Sequence, residues 1–195
     1  MADQSCDAEA ISNALAYFAE RVNRVFAYFY CVVEFEADED FKAKPSENGR
    51  AWGLQTIRDA CLHTTLIALR DLDDVFTPRE SKKPGKRRTA RSTDFKLSDF
   101  SYPNSLSFLA TSERNRINQE IAHTTLPGST RLGGRWDIFE LATKGVRQSL
   151  EFLQWAEKHF STTHPTVAWD IVYCRTRTEK IHDYFAKIVG KHLYK

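Results

Sequence analysis

From Ile11 to Val32 an apolar side chain recurs at every third or fourth position: Ile11, Leu15, Phe18, Val22, Val25, Phe29 and Val32. Alternating steps of four and three keep one stripe on one side of an α-helix, and no strand can present such a series on a single face. The spacing predicts a long helix from Asp7 to about Ala37. Tyr17, Phe26, Tyr28 and Tyr30 widen the stripe, so this helix needs several apolar neighbours, or a second subunit.

The same period returns three more times. Residues 51 to 72 carry Leu54, Ile57, Cys61, Thr65, Ala68 and Leu72 in one row, with Leu62, Leu66 and Leu69 beside it. Asp137 opens another helix, with Glu140 three positions on as a variant of the capping box, and Ile138, Leu141, Val146, Leu150, Leu153 and Phe160 along it. Trp155 packs at its edge, and Ser161 to Pro165 ends it. From about Thr166 a last helix holds Ile171, Cys174, Thr178, Ile181, Phe185 and Ile188, and Gly190 and the terminal basic residues suit its C-terminal end.

Shorter pieces lie between. Ser112 is placed to cap a helix running to His123, with Glu113 in its first turn, and Leu126-Pro127-Gly128 closes that run. Asn104 is expected to cap a short helix with Leu106, Phe108 and Leu109. Residues 94 to 100 are expected to form a turn held by Phe95, Leu97 and Phe100. No alternating strand pattern and no repeat occurs. The fold class read from the chain is all-α: an up-and-down helical bundle of four long helices plus a shorter helix. A chain of 195 residues is expected to form one domain, residues 1 to 195, with 166 to 195 as its C-terminal helix, and to bury roughly 70% of its unfolded surface.

No apolar run approaches the roughly 20 residues of a membrane span, and the first residues lack the pattern of a secretory signal. Cys6, Cys31, Cys61 and Cys174 are scattered, without a C-x-x-C pair, which reads as reduced thiols. A cytoplasmic protein with no membrane partner is expected. The net charge of +2 hides an asymmetry. Between Arg79 and Lys96 eight Lys or Arg face only Glu80 and Asp94, a net of +6, which leaves −4 for the rest of the chain. Lys82, Lys83, Lys86, Arg87, Arg88 and Arg91 form either a solvated, mobile loop or a stretch that holds nucleic-acid phosphates.

Several chemistries are excluded by motif. The chain has no G-x-G-x-x-G, P-loop, G-x-S-x-G or H-E-x-x-H. His159 and His164 have no carboxylate at ligand spacing and read as surface histidines. No metal and no cofactor is expected. What remains is arginine with histidine: histidine titrates near neutral pH and can take the 2′-hydroxyl proton of RNA, while a guanidinium forks onto phosphate oxygens. The spacing Arg-x(4–6)-His occurs four times: Arg58/His63, Arg116/His123, Arg175/His182 and Arg177/His182. With 16 Arg and 6 His in the chain, chance supplies roughly 1.5 such matches, so context must choose. His63 lies in an apolar helix and the cations near His182 read as a solvated face. His123 stands at a helix end beside a Gly-containing stretch, with Arg116 on its flank and Glu120 one turn before it. That flank is either a catalytic surface or a polar face whose terminal histidine satisfies the helix dipole.

The run Ser112-Glu113-Arg114-Asn115-Arg116-Ile117-Asn118-Gln119-Glu120-Ile121-Ala122-His123-Thr124-Thr125, preceded by Leu69-Arg70-Asp71-Leu72-Asp73-Asp74, resembles the HEPN superfamily. It looks closest to the branch associated with bacterial abortive infection, and Ile117 to Thr125 is its specific part. Trp136-Asp137, opening the next long helix, fits the same pattern. The resemblance implies a helical bundle, frequent homodimerisation and, in active members, metal-independent endoribonuclease action at a cleft shared by two subunits. Carried over, His123 is the acid/base and Arg116 the phosphate-binding group. The stricter pattern has a polar residue directly after the Arg, where this chain has Ile117, and Asn118 would supply the polar group instead. The stricter dipeptide occurs as Arg114-Asn115, nine positions from His123. Other members of the superfamily are non-catalytic binding modules, so the second reading is a module that binds nucleic acid or a nucleotide. A toxin of this kind would meet RNA and an antitoxin or regulatory protein, and a purely structural helical partner is the third reading.

Overall fold

The computed structural model describes residues 8–37, 49–77, 96–123 and 137–192, with the side chains of 35–37, 49–52, 54, 55, 99, 120–123 and 189–192 excepted. Among these residues five α-helices form: α1 (Ala8–Ala37), α2 (Gly49–Phe76), α3 (Thr111–His123), α4 (Ile138–Thr163) and α5 (Ala168–His192). No strand occurs among the described residues, and the chain is an all-α helical bundle. No helix among them is long and apolar enough to cross a membrane.

The α1 stripe is the axis of the bundle. Each of its seven apolar residues is at most 3% exposed. Contacts fix the directions of its neighbours. Phe18 meets Phe76 and Arg21 meets Asp71, so α2 runs antiparallel to α1. Phe18 also meets Phe152 while Phe29 meets Phe139, so α4 is antiparallel to α1 as well. Ser12 bonds Asp170 and Phe26 meets Tyr184, which sets α5 parallel to α1. The aromatic excess of α1 therefore has partners within the chain. Phe26 and Phe29 both pack on Phe185, and Tyr30 leans on Phe26 and Tyr184.

The ends of the helices follow local chemistry. Asp137 caps α4 by accepting the Glu140 N–H at 2.9 Å. His164 ends α4, and a single 3-10 turn, Pro165–Val167, leads into α5, two residues later than the expected start. Proline fits the first position of such a turn because its missing N–H has no partner to lose there. α2 runs one turn past Leu72, burying Val75 and Phe76. Another 3-10 turn, Leu97–Phe100, docks the fully buried Leu97, while Phe100 sets its edge on Phe160 at 6.1 Å. Phe95 lies outside the described residues.

Two expectations fail between residues 104 and 112. Asn104 to Leu109 is not helical, and Leu106 is 67% exposed. The N-cap of α3 is Ala110 rather than Ser112: the Ala110 carbonyl accepts the first helical bond from the Arg114 N–H, and Glu113 reaches back to the Ala110 N–H at 2.6 Å. Both differences have one cause, a carboxylate arriving from α2.

Gly145 marks where this segment crosses α4. A Cβ there would meet the Phe108 ring at 3.1 Å and Leu69 at 3.5 Å. Gly145→Val should lower stability by about 1–3 kcal/mol, the usual range for overpacking, read as a lower urea midpoint at unchanged m-value. A midpoint equal to the wild type would show that Phe108 moves aside freely.

Candidate functional site

Asp73 sits on the row of Leu66, Leu69 and Phe76, and it is 0% exposed. A carboxylate so placed must be satisfied by the protein. Its Oδ1 accepts the N–H of Phe108 at 2.7 Å and of Leu109 at 3.0 Å. The Ser107 hydroxyl lies 2.9 Å from both oxygens, and Oδ2 takes the Arg114 guanidinium. With the backbone donors of 108 and 109 drawn to Asp73, the segment cannot close helical bonds, which is why it stays irregular until Ala110.

Arg114 forks further. Its Nη1 donates to Asp74 Oδ1 at 2.7 Å, and its Nη2 to the Thr77 hydroxyl at 2.9 Å. Burial opposes its charge, but the hydrogen bond and charge of Asp73, helped by Asp74, hold its pKa above the ordinary arginine value. Ser105 donates to the Phe76 carbonyl at 2.7 Å, and the Lys96 ammonium bonds the Asp74 carbonyl. Lys96, counted above with the basic stretch, thus belongs to this anchor. Two carboxylates, Asp73 and Glu113, stand at the positive end of α3, where the helix dipole favours them.

The anchor sets which side of α3 faces where. At about 100° per residue, Glu113, Arg116, Glu120 and His123 fall within about 60° of Arg116, and Arg116 and His123 are separated by a rise of about 10.5 Å. Arg114 and the fully buried Ile117 point to the bundle. Arg116 is half-buried at the margin. The Glu120 and His123 side chains lie outside the described ones, and His123 is the last helical residue. Asn118 is exposed and stands about 200° round the helix from Arg116, so it does not share the Arg116 flank. Lys82, Lys83, Lys86, Arg87, Arg88 and Arg91 lie outside the described residues.

Near the start of α3, Lys144 of α4 bonds Glu140 at 2.6 Å. That bond, with Glu113 and Asp137 close by, outweighs burial and raises the Lys144 pKa. Three residues of the other Arg/His matches lie beside carboxylates. Arg175 bridges Glu157 of α4 at 2.7 Å and Glu179 of its own helix. Arg58 pairs with Asp59 at 3.0 Å, and His182 lies 3.8 Å from Asp183. His159 is exposed with its ring stacked on Trp155. No group of three His, Cys, Asp or Glu placed to hold a metal occurs among the described residues. Cys31, Cys61 and Cys174 are free thiols, Cys174 buried and the other two half-buried.

Asp73 and Arg114 stand in the runs quoted for the resemblance, but their pairing as a buried anchor was missed. The signal was present: an acid on a leucine row, and an arginine three positions before an inward isoleucine. No protein-family model, no curated protein and no solved structure matches this chain.

Proposed function

We propose that the chain is a HEPN-like, metal-independent endoribonuclease of a bacterial defence or toxin type. One observation carries the reading: Arg114, locked to Asp73 and Asp74, orients α3 so that Arg116 and His123 share the opposite flank, with His123 at the helix end. The other arginine of the motif is committed to the anchor on the far side of the helix, and the phosphate role is assigned to Arg116 because it shares the His123 flank. In the reaction His123 takes the proton of a 2′-hydroxyl. The freed oxygen attacks the adjacent phosphorus, and the 5′-oxygen leaves as it gains a proton. Arg116 forks onto the non-bridging oxygens as charge builds. Glu120, one turn before His123, supports its protonated form. A second copy of the chain completes the cleft, and an antitoxin or regulatory protein restrains it.

Purified protein incubated with a mixed RNA pool in EDTA tests this. Cleavage should leave 2′,3′-cyclic phosphate ends, and His123→Ala should slow it by at least about 10²-fold with an unchanged melting curve. Equal cleavage by the variant would sink the role of His123.

Ile117 favours a second reading. It is the residue directly after Arg116 and is fully buried, so it offers the flank no polar group. A non-catalytic module that binds nucleic acid through Arg116 and the basic stretch 79 to 96 would leave RNA intact while retaining salt-dependent binding.

A further inference from the structure

The outward face of α5 carries side chains that packing does not explain. Trp169 is 78% exposed and Tyr173, one turn on, is 59% exposed. Thr176, Lys180 and Lys187 are exposed too, and all three lie within about 40° of Trp169 round the helix. Arg177 flanks this line, with its Nη1 3.5 Å from the Tyr173 hydroxyl. Neither Lys180 nor Lys187 makes an ion pair among the described residues. The one acid on the line is Asp183; Asp170, at its margin, accepts a hydrogen bond from Ser12 at 3.0 Å. On the other side of the helix Ile171, Cys174, Thr178, Ile181, Phe185 and Ile188 are all buried. α5 packs on α4 and α1 and makes no contact with α2 or α3 among the described residues. The face is therefore separate from the Arg116 flank.

Large aromatic side chains are mostly withdrawn from water. Two of them a turn apart, about 6 Å along the axis, make a platform for flat partners. What lies beyond them decides the partner. Lysine is depleted at the buried centre of protein interfaces, whereas a row of unpaired cations beside aromatic faces suits a phosphate backbone whose bases stack. We infer that the outward face of α5 is a binding site for single-stranded nucleic acid, with Trp169 and Tyr173 stacking on bases and Arg177, Lys180 and Lys187 on phosphates.

The test uses the full chain and a fluorescently labelled twelve-nucleotide oligodeoxythymidine, which lacks the 2′-hydroxyl and so cannot be cut by the chemistry proposed above. Failure here and failure of the ribonuclease reading are thus told apart. Anisotropy titrations should show binding that Trp169→Ala weakens about tenfold and Tyr173→Ala by a similar factor, both with unchanged melting curves, as their exposure implies. Lys180→Gln with Lys187→Gln should lower the slope of log K against log salt by about 1.4, since two fewer phosphates are neutralised. Wild-type protein that fails to bind at low salt, or Trp169→Ala binding as tightly as wild type, would overturn the inference. So would Trp169→Ala dissolving a dimer in light scattering with affinity intact, which assigns the face to a second copy.

Discussion

Asp73→Ala should lower stability by about 3–5 kcal/mol, the cost of removing one partner from a buried ion pair, and drop the melting temperature by roughly 10 °C or more. The carboxylate is fully buried and gathers Arg114, two backbone N–H groups and the Ser107 hydroxyl. Truncation strands the N–H groups of Phe108 and Leu109, which have no helical acceptor to turn to, and strips Arg114 of its buried carboxylate, leaving it Asp74 and Thr77. Asp73→Asn is the sharper variant. Its amide oxygen can keep the two N–H bonds at Oδ1, but the amide NH2 then faces the Arg114 guanidinium, donor against donor. It should cost about 2 kcal/mol or more, since hydrogen bonds to charged groups are worth about 1.5–3. Urea unfolding gives the totals. Amide exchange locates them: protection at 108 to 110 and in the first turn of α3 should fall before that of α1. A loss of under about 1 kcal/mol for Asp73→Ala would mean that the segment before α3 is held by its apolar contacts alone.

How much of this was legible depends on the range of the interaction. The apolar rows are local rules of a 3.6-residue period, so they carried over. All six residues read along α5 are buried, and Asp137 caps α4 as its spacing to Glu140 foretold. Even so, the α2 row runs out at its start. From Leu72 back to Ile57 is fifteen residues, enough to turn about 60° away from the seam, and Ile57 is 51% exposed. The irregular path from Asn104 to Ala110 was not legible, because its cause is 34 to 36 residues away in sequence, in a carboxylate on another helix. Asn104 and Ser112 both looked like caps by residue type. The cap that formed uses an alanine, since Asp73 and Glu113 satisfy the surrounding donors from outside.

The candidate site shows the same division. The shared flank of Arg116 and His123 follows from helix geometry alone, and so was readable. What fixes that flank in the bundle is Arg114, which reading by motif noted only as the first residue of the stricter dipeptide, nine positions from His123. Two arginines two positions apart point about 200° from one another, so they cannot serve one ligand together.

The two should therefore separate cleanly under substitution. Arg114→Met keeps the length of the stem and removes the fork. Asp73 would then be a buried carboxylate with neutral donors only, at a cost of about 3 kcal/mol or more, and Arg114→Lys should recover only part, because an ammonium cannot reach Asp73, Asp74 and Thr77 in one plane. Arg116→Met leaves Asp73 with all of its donors, and stability should stay within about 1 kcal/mol of wild type, as at other partly exposed charges. If Arg116 holds the phosphate, cleavage in EDTA should fall on the order of 10²-fold with the fold intact. Stability and rate measured on both variants give four numbers. Arg116→Met that cleaves normally would remove arginine from the chemistry and return the site to its binding reading. Arg114→Met as stable as wild type would remove the anchor, and with it the reason that α3 presents this flank at all.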